Sequence, residues 1–387
     1  MKTILVSSII SQYDAINLFL KETTAAFSEK GFDIVYMDKD VEKAGKLKQE
    51  DIAFAFCFNG VIFSNEEFRD ICEQSDIPVL SFFVDAPETH MKRILNSTSN
   101  SVLTFVDSNH VNYLMRHLDF NNTSRFLPHG GSFSREFKYK NQFMDRPIDI
   151  IFIGTYMPES GFIDNFVKLY GEGDLDTVIE LSEYLKTDYG INFHKLLDNL
   201  LTSNGVKRKS PEYRDLFVKY SKAYDIYRCH YRNETIRVLL EAGLKITCYG
   251  NHWEKSGFIE NENFIYKGAC NIDESVDLMA QAKVALNIVP SLKNGSHERI
   301  FSAMLNGCVC VSTKTDVYGK LIKDMENIVF YDLNDRKKMI DDIKEVLGNE
   351  DGFKKITSIA YETSRNNFLW EHRVEDMLDI MKDHCRI

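Results

Sequence analysis

Short apolar runs alternate with helical hydrophobic repeats along the first 130 residues. Ile4–Ser8, Ile52–Phe56 and Val79–Val84 are short and almost wholly apolar, as expected of interior strands in a parallel sheet. Ala15–Glu29 repeats its apolar residues at helical spacing and precedes Gly31, which suits a helix C-terminus. Further strands are predicted at Ile34–Met37, Val102–Val106 and Arg125–Leu127. Single helices between such strands predict βαβ units and a parallel sheet covered on both faces.

The same alternation of patterns returns after residue 148. Apolar runs predict strands at Asp149–Ile153, Lys245–Tyr249, Phe264–Lys267, Val284–Val289, Val309–Ser312 and Ile328–Tyr331. Helical repeats predict helices at Arg232–Ala242, Ile272–Ala282, Glu298–Asn306, Arg336–Leu347 and along Phe353–Asp383. The polar stretch Ser132–Pro147 has no period and is expected to link the two halves. We therefore predict an α/β chain with two Rossmann-like, doubly wound parallel-sheet domains that face each other across a cleft.

The segment between the first two strands of the second half breaks this order. Residues 158–226 are charged, rich in aromatic residues and largely helical in period. We predict a helical insertion at 156–231 within a C-terminal domain at 148–365. The N-terminal domain is expected at 1–135, and a C-terminal helix at 366–387 is expected to cross back to it. Two domains of about 150 residues leave roughly 80 of the 387 residues over, and the insertion accounts for them.

The net charge narrows the choice of partners. Lys and Arg total 47 against 58 Asp and Glu, which gives a formal charge of −11. Such a surface repels phosphate backbones and anionic membranes, so we expect no nucleic-acid partner. No apolar window approaches the length of a membrane span, and the N-terminal run is too polar for a signal peptide, so a cytoplasmic location is expected. The eight cysteines are scattered without zinc spacing, which predicts reduced thiols and no bound metal.

Candidate chemistry follows the predicted strands, where open parallel sheets bind ligands. Asn294–Ser296 forms a turn before a helix that starts near His297, and backbone N–H groups at a helix start suit an anion such as a diphosphate. Ser296 is a candidate N-cap, and Arg299 is a candidate phosphate contact. The alternative is an ordinary capped helix with solvated charges.

Two residues of the first half also follow buried strands. Asp85 and His129 both lie where a cleft would open between the halves, and either would act as a general base toward an acceptor hydroxyl. The alternative for each is a structural turn. The chain contains neither a GxSxG elbow nor a GxGxxG fingerprint, which argues against a hydrolase and against a nicotinamide enzyme.

These segments carry a resemblance to a known family. The second half resembles the C-terminal domain of GT-B glycosyltransferases, in particular the spore maturation protein B-like enzymes. The matching segments, in the family's order, are Ile150–Gly154, Lys245–Gly250 with Trp253, Tyr266–Gly268 with Ala282–Asn287, and Arg299–Cys308. The first half is similar only in its Rossmann-like pattern with Asp85 and His129. Trp370 and the helix after it resemble the family's C-terminal helix, which crosses back to the first domain.

The resemblance implies transfer of a sugar from a nucleotide-sugar donor to a hydroxyl of a glycan, protein or lipid. A hexosyl group and a UDP-linked donor are favoured, and neither a cofactor nor a metal is required. The second domain would hold the donor and the first would face the acceptor. The donor-site residues that it implies are Gly154, Gly250, Asn251, Trp253, Asn287, Ser296, His297, Arg299 and Ser302. Among them, Gly154 would let the backbone approach the diphosphate.

The chain also departs from the family's pattern. Ser302 stands where the family commonly has glutamate, and Asn294 stands where retaining relatives have a second one. Glu298, one helical turn before Ser302, is the candidate substitute and joins Asp85 and His129 as a candidate catalytic residue. Retention and inversion therefore both stay open. The alternatives are a nucleotide-sugar 2-epimerase and a catalytically silent nucleotide-binding scaffold. The insertion would serve acceptor recognition or contact between copies in a homo-oligomer.

Overall fold

Within the described residues, two parallel sheets of six strands each frame the protein. The structure, a computed structural model, describes residues 2–8, 15–39, 47–134 and 143–385. The first sheet comprises β1 (Thr3–Ser7), β2 (Asp33–Tyr36), β3 (Ile52–Phe58), β4 (Val79–Phe83), β5 (Ser101–Phe105) and β6 (Thr123–Phe126), in the order β2-β1-β3-β4-β5-β6. The second comprises β7 (Ile148–Ile153), β8 (Ile246–Tyr249), β9 (Phe264–Tyr266), β10 (Ala282–Asn287), β11 (Val309–Thr313) and β12 (Val329–Tyr331), in the order β12-β11-β10-β7-β8-β9. The predicted α/β fold class is therefore confirmed.

Helices connect the strands in both halves. In the first half they are α1 (Ala15–Glu29), α2 (Glu66–Gln74), α3 (Met91–Leu95) and α4 (Ser108–His117). Between β7 and β8 they are α5 (Glu159–Tyr170), α6 (Leu175–Thr187), α7 (Phe193–Ser203), α8 (Pro211–Tyr220) and α9 (Lys222–Glu241). The rest are α10 (Ile272–Met279), α11 (Glu298–Leu305), α12 (Arg336–Gly348), α13 (Glu350–Asn367) and α14 (Trp370–Cys385). Short 3₁₀ helices lie at Gln49–Asp51, Val61–Ser64, Pro87–Thr89, Trp253–Lys255, Gly257–Glu260 and Leu333–Asp335.

The strand order of each sheet locates the crevice in which a ligand binds. The chain runs outward in opposite directions from β1 and β3 in the first sheet, and from β7 and β10 in the second. At such a switch point the connecting loops diverge and leave a crevice at the carboxyl ends of the strands. In the second sheet this crevice lies beside Gly154, which follows β7, and the loop Ile288–Lys293, which follows β10.

The apolar runs that predict the strands are explained by burial on both faces. Every residue of β4 and β5 is buried, because helices cover both sides of the parallel sheet. Phe54 and Phe56 of β3 meet Phe27 of α1 edge to face, with ring centroids 5.7 and 5.6 Å apart. The helical period of α1 thus places its apolar face on the sheet, as the sequence pattern predicts.

All regular secondary structure between β7 and β8 is helical within the described residues, and it contacts both halves of the chain. We call residues 156–231 the helical segment; α5 to α8 and part of α9 lie in it. Phe217 stacks on Tyr113 of α4 with ring centroids 4.1 Å apart. The Lys209 N–H donates to the His117 carbonyl oxygen at 2.8 Å. The segment therefore closes one side of the crevice between the sheets.

The C-terminal helix α14 packs against the first half. The predicted long helix is interrupted at residues 368–369, between α13 and α14. Trp370 then packs on Phe19 of α1, with ring centroids 5.0 Å apart. The Gly131 N–H donates to the Phe368 carbonyl oxygen at 2.7 Å. The break allows the chain to change direction and return to the first sheet.

The described parts of the predicted linker are packed into the second half. Arg146 is buried and donates to the carbonyl oxygens of Ala282 and Asn306 at 2.7 and 2.9 Å. The Ser134 N–H donates to the Asn306 side-chain oxygen at 2.8 Å. Residues 135–142 of the predicted linker lie outside the described residues. The polar pattern of this stretch therefore reflects buried hydrogen bonds as well as solvent exposure.

The predicted domain boundaries at 1–135, 148–365 and 366–387 stay predictions. None of the helices in the described ranges combines the length and the apolar character needed to cross a membrane.

Candidate functional site

Two adjoining cavities occupy the crevice between the sheets. Cavity A, of about 420 Å³, lies beside the residues that follow β7, β8 and β9 and beside the start of α11. Cavity B, of about 220 Å³, lies between the first half, the helical segment and the loop after β10. The polar residues that line both cavities are Asp85, Arg228, Arg232, His297 and Arg299. The two spaces therefore meet at one charged boundary.

Three arginines concentrate positive charge at this boundary. Arg228 and Arg232 lie one turn apart on α9, and Arg299 lies in the first turn of α11. Arg228 pairs with Asp225 at 3.3 Å, and Arg232 donates to the Thr155 carbonyl oxygen at 2.5 Å. Among the described residues, the Arg299 guanidinium has neither a hydrogen-bond nor an ion-pair partner. This group is free to bind an anion, in a chain whose net charge is −11.

Arg232 is a half-buried cation whose hydrogen-bonding groups are only partly satisfied. Its guanidinium carbon lies 5.6 Å from the centre of the Phe152 ring, and its Nε is buried without a hydrogen-bond partner. Burial, together with the charges of Arg228 and Arg299, lowers the pKa of Arg232 to about 10. The group still carries its charge at neutral pH. A ligand with negative oxygens would relieve the repulsion among the three guanidinium groups.

The turn before α11 is pinned to the first half, and this corrects the prediction for Ser296. The Asn294 N–H donates to the Asp107 carboxylate at 3.0 Å, and the Ser296 N–H donates to the Val106 carbonyl oxygen at 3.3 Å. Ser296 is buried, and its hydroxyl hydrogen-bonds the Tyr318 hydroxyl. These groups are already satisfied, so Ser296 does not line either cavity. The N-cap of α11 is His297 instead.

The His297 ring and the Glu298 carboxylate contact each other at the start of α11. His297 Nδ1 contacts the Glu298 carboxylate and accepts a hydrogen bond from the Arg299 N–H at 3.4 Å. Burial alone would raise the pKa of Glu298, but His297 and Arg299 lower it to about 2. Glu298 therefore lines cavity A as a carboxylate.

Ser302 lies one turn after Glu298 but outside the cavities. Its side chain is buried, and its hydroxyl accepts the Ser132 N–H at 3.1 Å. The serine therefore joins the end of the first half to α11. Its part in donor binding stays a prediction, and its hydroxyl has a protein partner away from both cavities.

Asp85 and His129 reach cavity A from the first half, as the sequence predicts. Asp85 accepts hydrogen bonds from Asn59 Nδ2 at 3.0 Å and lies 3.2 Å from His90 Nε2. Burial raises the pKa of Asp85, but these partners outweigh it and hold the pKa below its usual value. Burial lowers the pKa of His129 to about 4, so its ring is neutral at pH 7, and its Nδ1 has no hydrogen-bond partner.

The loops after β7 and β8 approach each other through two glycines. Gly250 has φ +138°, and a Cβ on it would lie 2.1 Å from the Gly154 carbonyl oxygen. Only glycine allows this contact. Trp253 Nε1 donates to the same carbonyl oxygen at 2.6 Å. Both glycines line cavity A. Trp253 does not, because it is fully buried in the core. The donor-binding roles of these three residues stay predictions.

Two predicted donor-site residues lie away from both cavities. Asn287, at the end of β10, is buried and donates from Nδ2 to the Ser312 hydroxyl at 2.9 Å. Asn251 follows Gly250, and its backbone carbonyl oxygen accepts the Tyr156 N–H at 2.9 Å. Both residues support the strand ends. Neither lines the space in which a ligand would bind.

Sequence reasoning missed several residues that line the cavities. Arg228 and Arg232 are four residues apart within a helix, a spacing that places both on one face and is visible in the sequence. The capped start of α10 at Asn271 also borders cavity A, beside Cys270. His194 belongs to the helical segment, and no local pattern links it to the first half. Among the described residues, no group of three His, Cys, Asp or Glu side chains could hold a metal ion.

Comparison with known proteins identifies the fold. Residues 232–379 match the family described as glycosyl transferase-like. No curated protein matches the chain by sequence. Sucrose-phosphate synthase from Thermosynechococcus elongatus is similar in structure, with a TM-score of 0.58, 10% identity and 99% of both chains covered. Anabaena HepE in complex with UDP-glucose gives a TM-score of 0.58 at 8% identity, covering 99% of this chain and 100% of that one. An alpha-glucosyltransferase in complex with UDP-glucose and DNA containing an abasic site gives 0.57 at 13% identity, with 99% of both chains covered. The two facing sheets are therefore a GT-B fold, with a glycosyl transferase-like second half.

Proposed function

We propose that this protein is a glycosyltransferase that takes a hexosyl group from a UDP-sugar. The observation that carries the proposal is the group of Arg228, Arg232 and Arg299 around a crevice at the switch point of the second sheet. The partnerless guanidinium of Arg299 supplies the fork of donors that binds phosphate oxygens. The glycosyl transferase-like match over residues 232–379 supports the same conclusion, as does the likeness to structures that hold UDP-glucose.

The donor diphosphate would lie between Arg232 and Arg299. Gly154, beside it in cavity A, presents backbone and no side chain. The base would lie toward Gly250 and Asn271, which border the far end of cavity A. Three cations neutralise the charge that develops on a leaving diphosphate, which is the work that a metal ion does in other enzymes. We therefore expect transfer without added metal.

The transfer step requires a bond exchange at the anomeric carbon of the sugar. An acceptor hydroxyl oxygen bonds to that carbon, the bond to the diphosphate oxygen breaks, and UDP leaves. The acceptor proton passes to a base, for which Asp85 is our candidate because it borders both cavities as a carboxylate. Glu298, also a carboxylate, would stabilise the positive charge that builds up on the sugar ring. His129 would line the same part of cavity A with a neutral ring nitrogen.

Ligand-induced stabilisation followed by product analysis tests the proposal. UDP, GDP, dTDP and CMP are each added, and the melting temperature is recorded with and without EDTA. Binding at 100 times Kd adds about 2.7 kcal/mol of stability, which corresponds to several degrees. UDP should give the largest shift, and UDP-glucose should then release UDP slowly in water. No shift with any nucleotide would refute the proposal. Conversion of UDP-N-acetylglucosamine to its 2-epimer without an acceptor would replace it with epimerase activity.

A further inference from the structure

We infer that cavity B is the acceptor site and that it takes a small, uncharged polyhydroxy compound, meaning one sugar ring or a polyol. This inference rests on the proposed function and names its second substrate. It is based on the residues that enclose cavity B, on the contact between Glu88 and His194 in its wall, and on buried polar atoms of that wall that have no hydrogen-bond partner.

Three distant parts of the chain enclose cavity B. The first half contributes residues 84–89 and the start of α4, the helical segment contributes residues 191–194 and α9, and the second half contributes the loop 288–293. The volume of about 220 Å³ is smaller than the roughly 300–1,000 Å³ of pockets for drug-sized ligands. A single sugar ring suits such a space. A longer acceptor could place only one of its residues in this space.

The pair of Glu88 and His194 fixes the wall between the first half and the helical segment. His194 Nε2 lies 3.3 Å from Glu88 Oε1, and the two residues are 106 positions apart in the chain. Their side chains are only 11% and 19% exposed. The His194 ring also stacks on Tyr113 of α4 at 5.7 Å. The wall is therefore formed before a ligand arrives, and the helical segment contributes His194 to it.

On the first-half side of this wall, two buried polar atoms have no partner within the described residues. They are Glu88 Oε2 and His110 Nδ1, and His110 is only 1% exposed. Buried polar groups nearly always have a hydrogen-bond partner in native proteins. A carboxylate only accepts hydrogen bonds, so its partner has to bring O–H or N–H donors. Hydroxyl groups donate and accept, so a polyhydroxy ligand would satisfy both atoms.

Outside the boundary with cavity A, the cations of the cavity B wall have protein partners, and the Asp85 and Glu88 carboxylates line the same space, which disfavours an anionic acceptor. Lys222 pairs with Asp225 at 3.4 Å. Lys293 donates to the Tyr189 carbonyl oxygen at 3.0 Å. Among the described residues of the wall, the remaining cations are those at the boundary with cavity A, which the donor diphosphate would occupy. A phosphorylated acceptor would therefore compete with the donor.

The test measures UDP release from UDP-glucose with different acceptors. The panel contains uncharged monosaccharides and polyols, glucose 6-phosphate, an oligosaccharide and a DNA duplex. We expect uncharged small compounds to raise the rate at least tenfold above hydrolysis by water. A higher rate with glucose 6-phosphate, the oligosaccharide or DNA would overturn the inference, as would UDP binding without acceleration by any small compound. If UDP does not bind at all, the proposed function itself has failed.

Variants of the wall separate acceptor binding from donor binding. Glu88→Gln should raise the acceptor KM tenfold or more while the KM for UDP-glucose and the UDP-induced thermal shift stay unchanged. Glu183→Gln is the matched control, because this carboxylate is 61% exposed on α6 and contacts Lys186. His110→Gln is the second variant in case the first does not fold. An equal rise in both KM values, or no change in either variant, would contradict the assignment of this wall.

Discussion

Replacing Arg299 by methionine should weaken donor binding strongly and change the stability of the ligand-free protein little. Methionine keeps the apolar stem of the side chain and removes the guanidinium. In the ligand-free protein this group has no hydrogen-bond or ion-pair partner among the described residues. Its charge repels Arg232 and attracts Glu298, and so contributes to the lowered pKa of each. Removing it should relieve the first interaction and lose the second, so the melting temperature without ligand should stay close to that of the wild type.

The loss in donor affinity follows from the charged hydrogen bonds that the variant cannot make. A hydrogen bond to a charged group contributes about 1.5–3 kcal/mol. At about 1.4 kcal/mol for each factor of ten, Arg299→Met should weaken UDP binding by about 10- to 150-fold. In the ligand-free protein, the repulsion between the partly exposed guanidinium groups of Arg299 and Arg232 amounts to about 0.2–1 kcal/mol, and the variant relieves it. The loss in donor affinity is therefore the larger effect.

Calorimetric titration with UDP and thermal unfolding without ligand measure both effects on one preparation. Arg69→Met is the control, because Arg69 is a surface residue of α2 that pairs with the adjacent Asp70 at 2.8 Å. Its UDP affinity should stay within twofold of the wild type. An Arg299→Met variant that binds UDP as tightly as the control would refute the phosphate assignment. A melting temperature several degrees lower, with unchanged affinity, would show that Arg299 is structural.

Three further predictions concern the support of the site. Gly250→Ala should lower the free energy of unfolding in urea by at least about 1–2 kcal/mol. The φ of +138° is unfavourable for a side chain, and the Cβ would lie 2.1 Å from a backbone oxygen. A loss below about 0.5 kcal/mol would contradict this prediction. Asp107→Ala should cost about 1–3 kcal/mol, since it removes the acceptor of the Asn294 N–H, and an unchanged urea midpoint would show that the turn is held otherwise. Glu88 and Asp107 raise the pKa of His194 against the lowering effect of burial. Protonated His194 therefore stabilises the folded state below pH 6.5, and this stabilisation is lost as the pH rises through the raised pKa. The unfolding free energy lost in His194→Gln should therefore be larger at pH 6 than at pH 9, and equal losses would refute the pairing with Glu88.

Strand positions follow from sequence more reliably than the directions of the side chains after them. The apolar runs predict β3 and β4 because both faces of an interior strand are buried, which leaves a continuous local signal. The residue after a strand has no such signal. Asp85 and Trp253 both follow strands, yet one lines the crevice and the other is in the core. The difference is set by packing against Phe152 and by the bond to the Gly154 oxygen, which involve distant parts of the chain.

In α11, a carboxylate lies one turn before the position at which the resemblance implies a glutamate. Ser302 stands at that position, and its hydroxyl accepts a hydrogen bond from the Ser132 N–H. The side chain at position 302 therefore helps to join the two halves of the chain. One turn earlier, Glu298 carries the carboxylate into cavity A, with a pKa lowered to about 2 by His297 and Arg299 despite its burial. The negative charge therefore lies closer to the helix N-terminus and directly beside the proposed phosphate ligand. There it contacts His297 and lines cavity A, whereas a carboxylate at position 302 would lie in the buried junction. We propose that Glu298 takes the place of the glutamate that the resemblance implies at position 302.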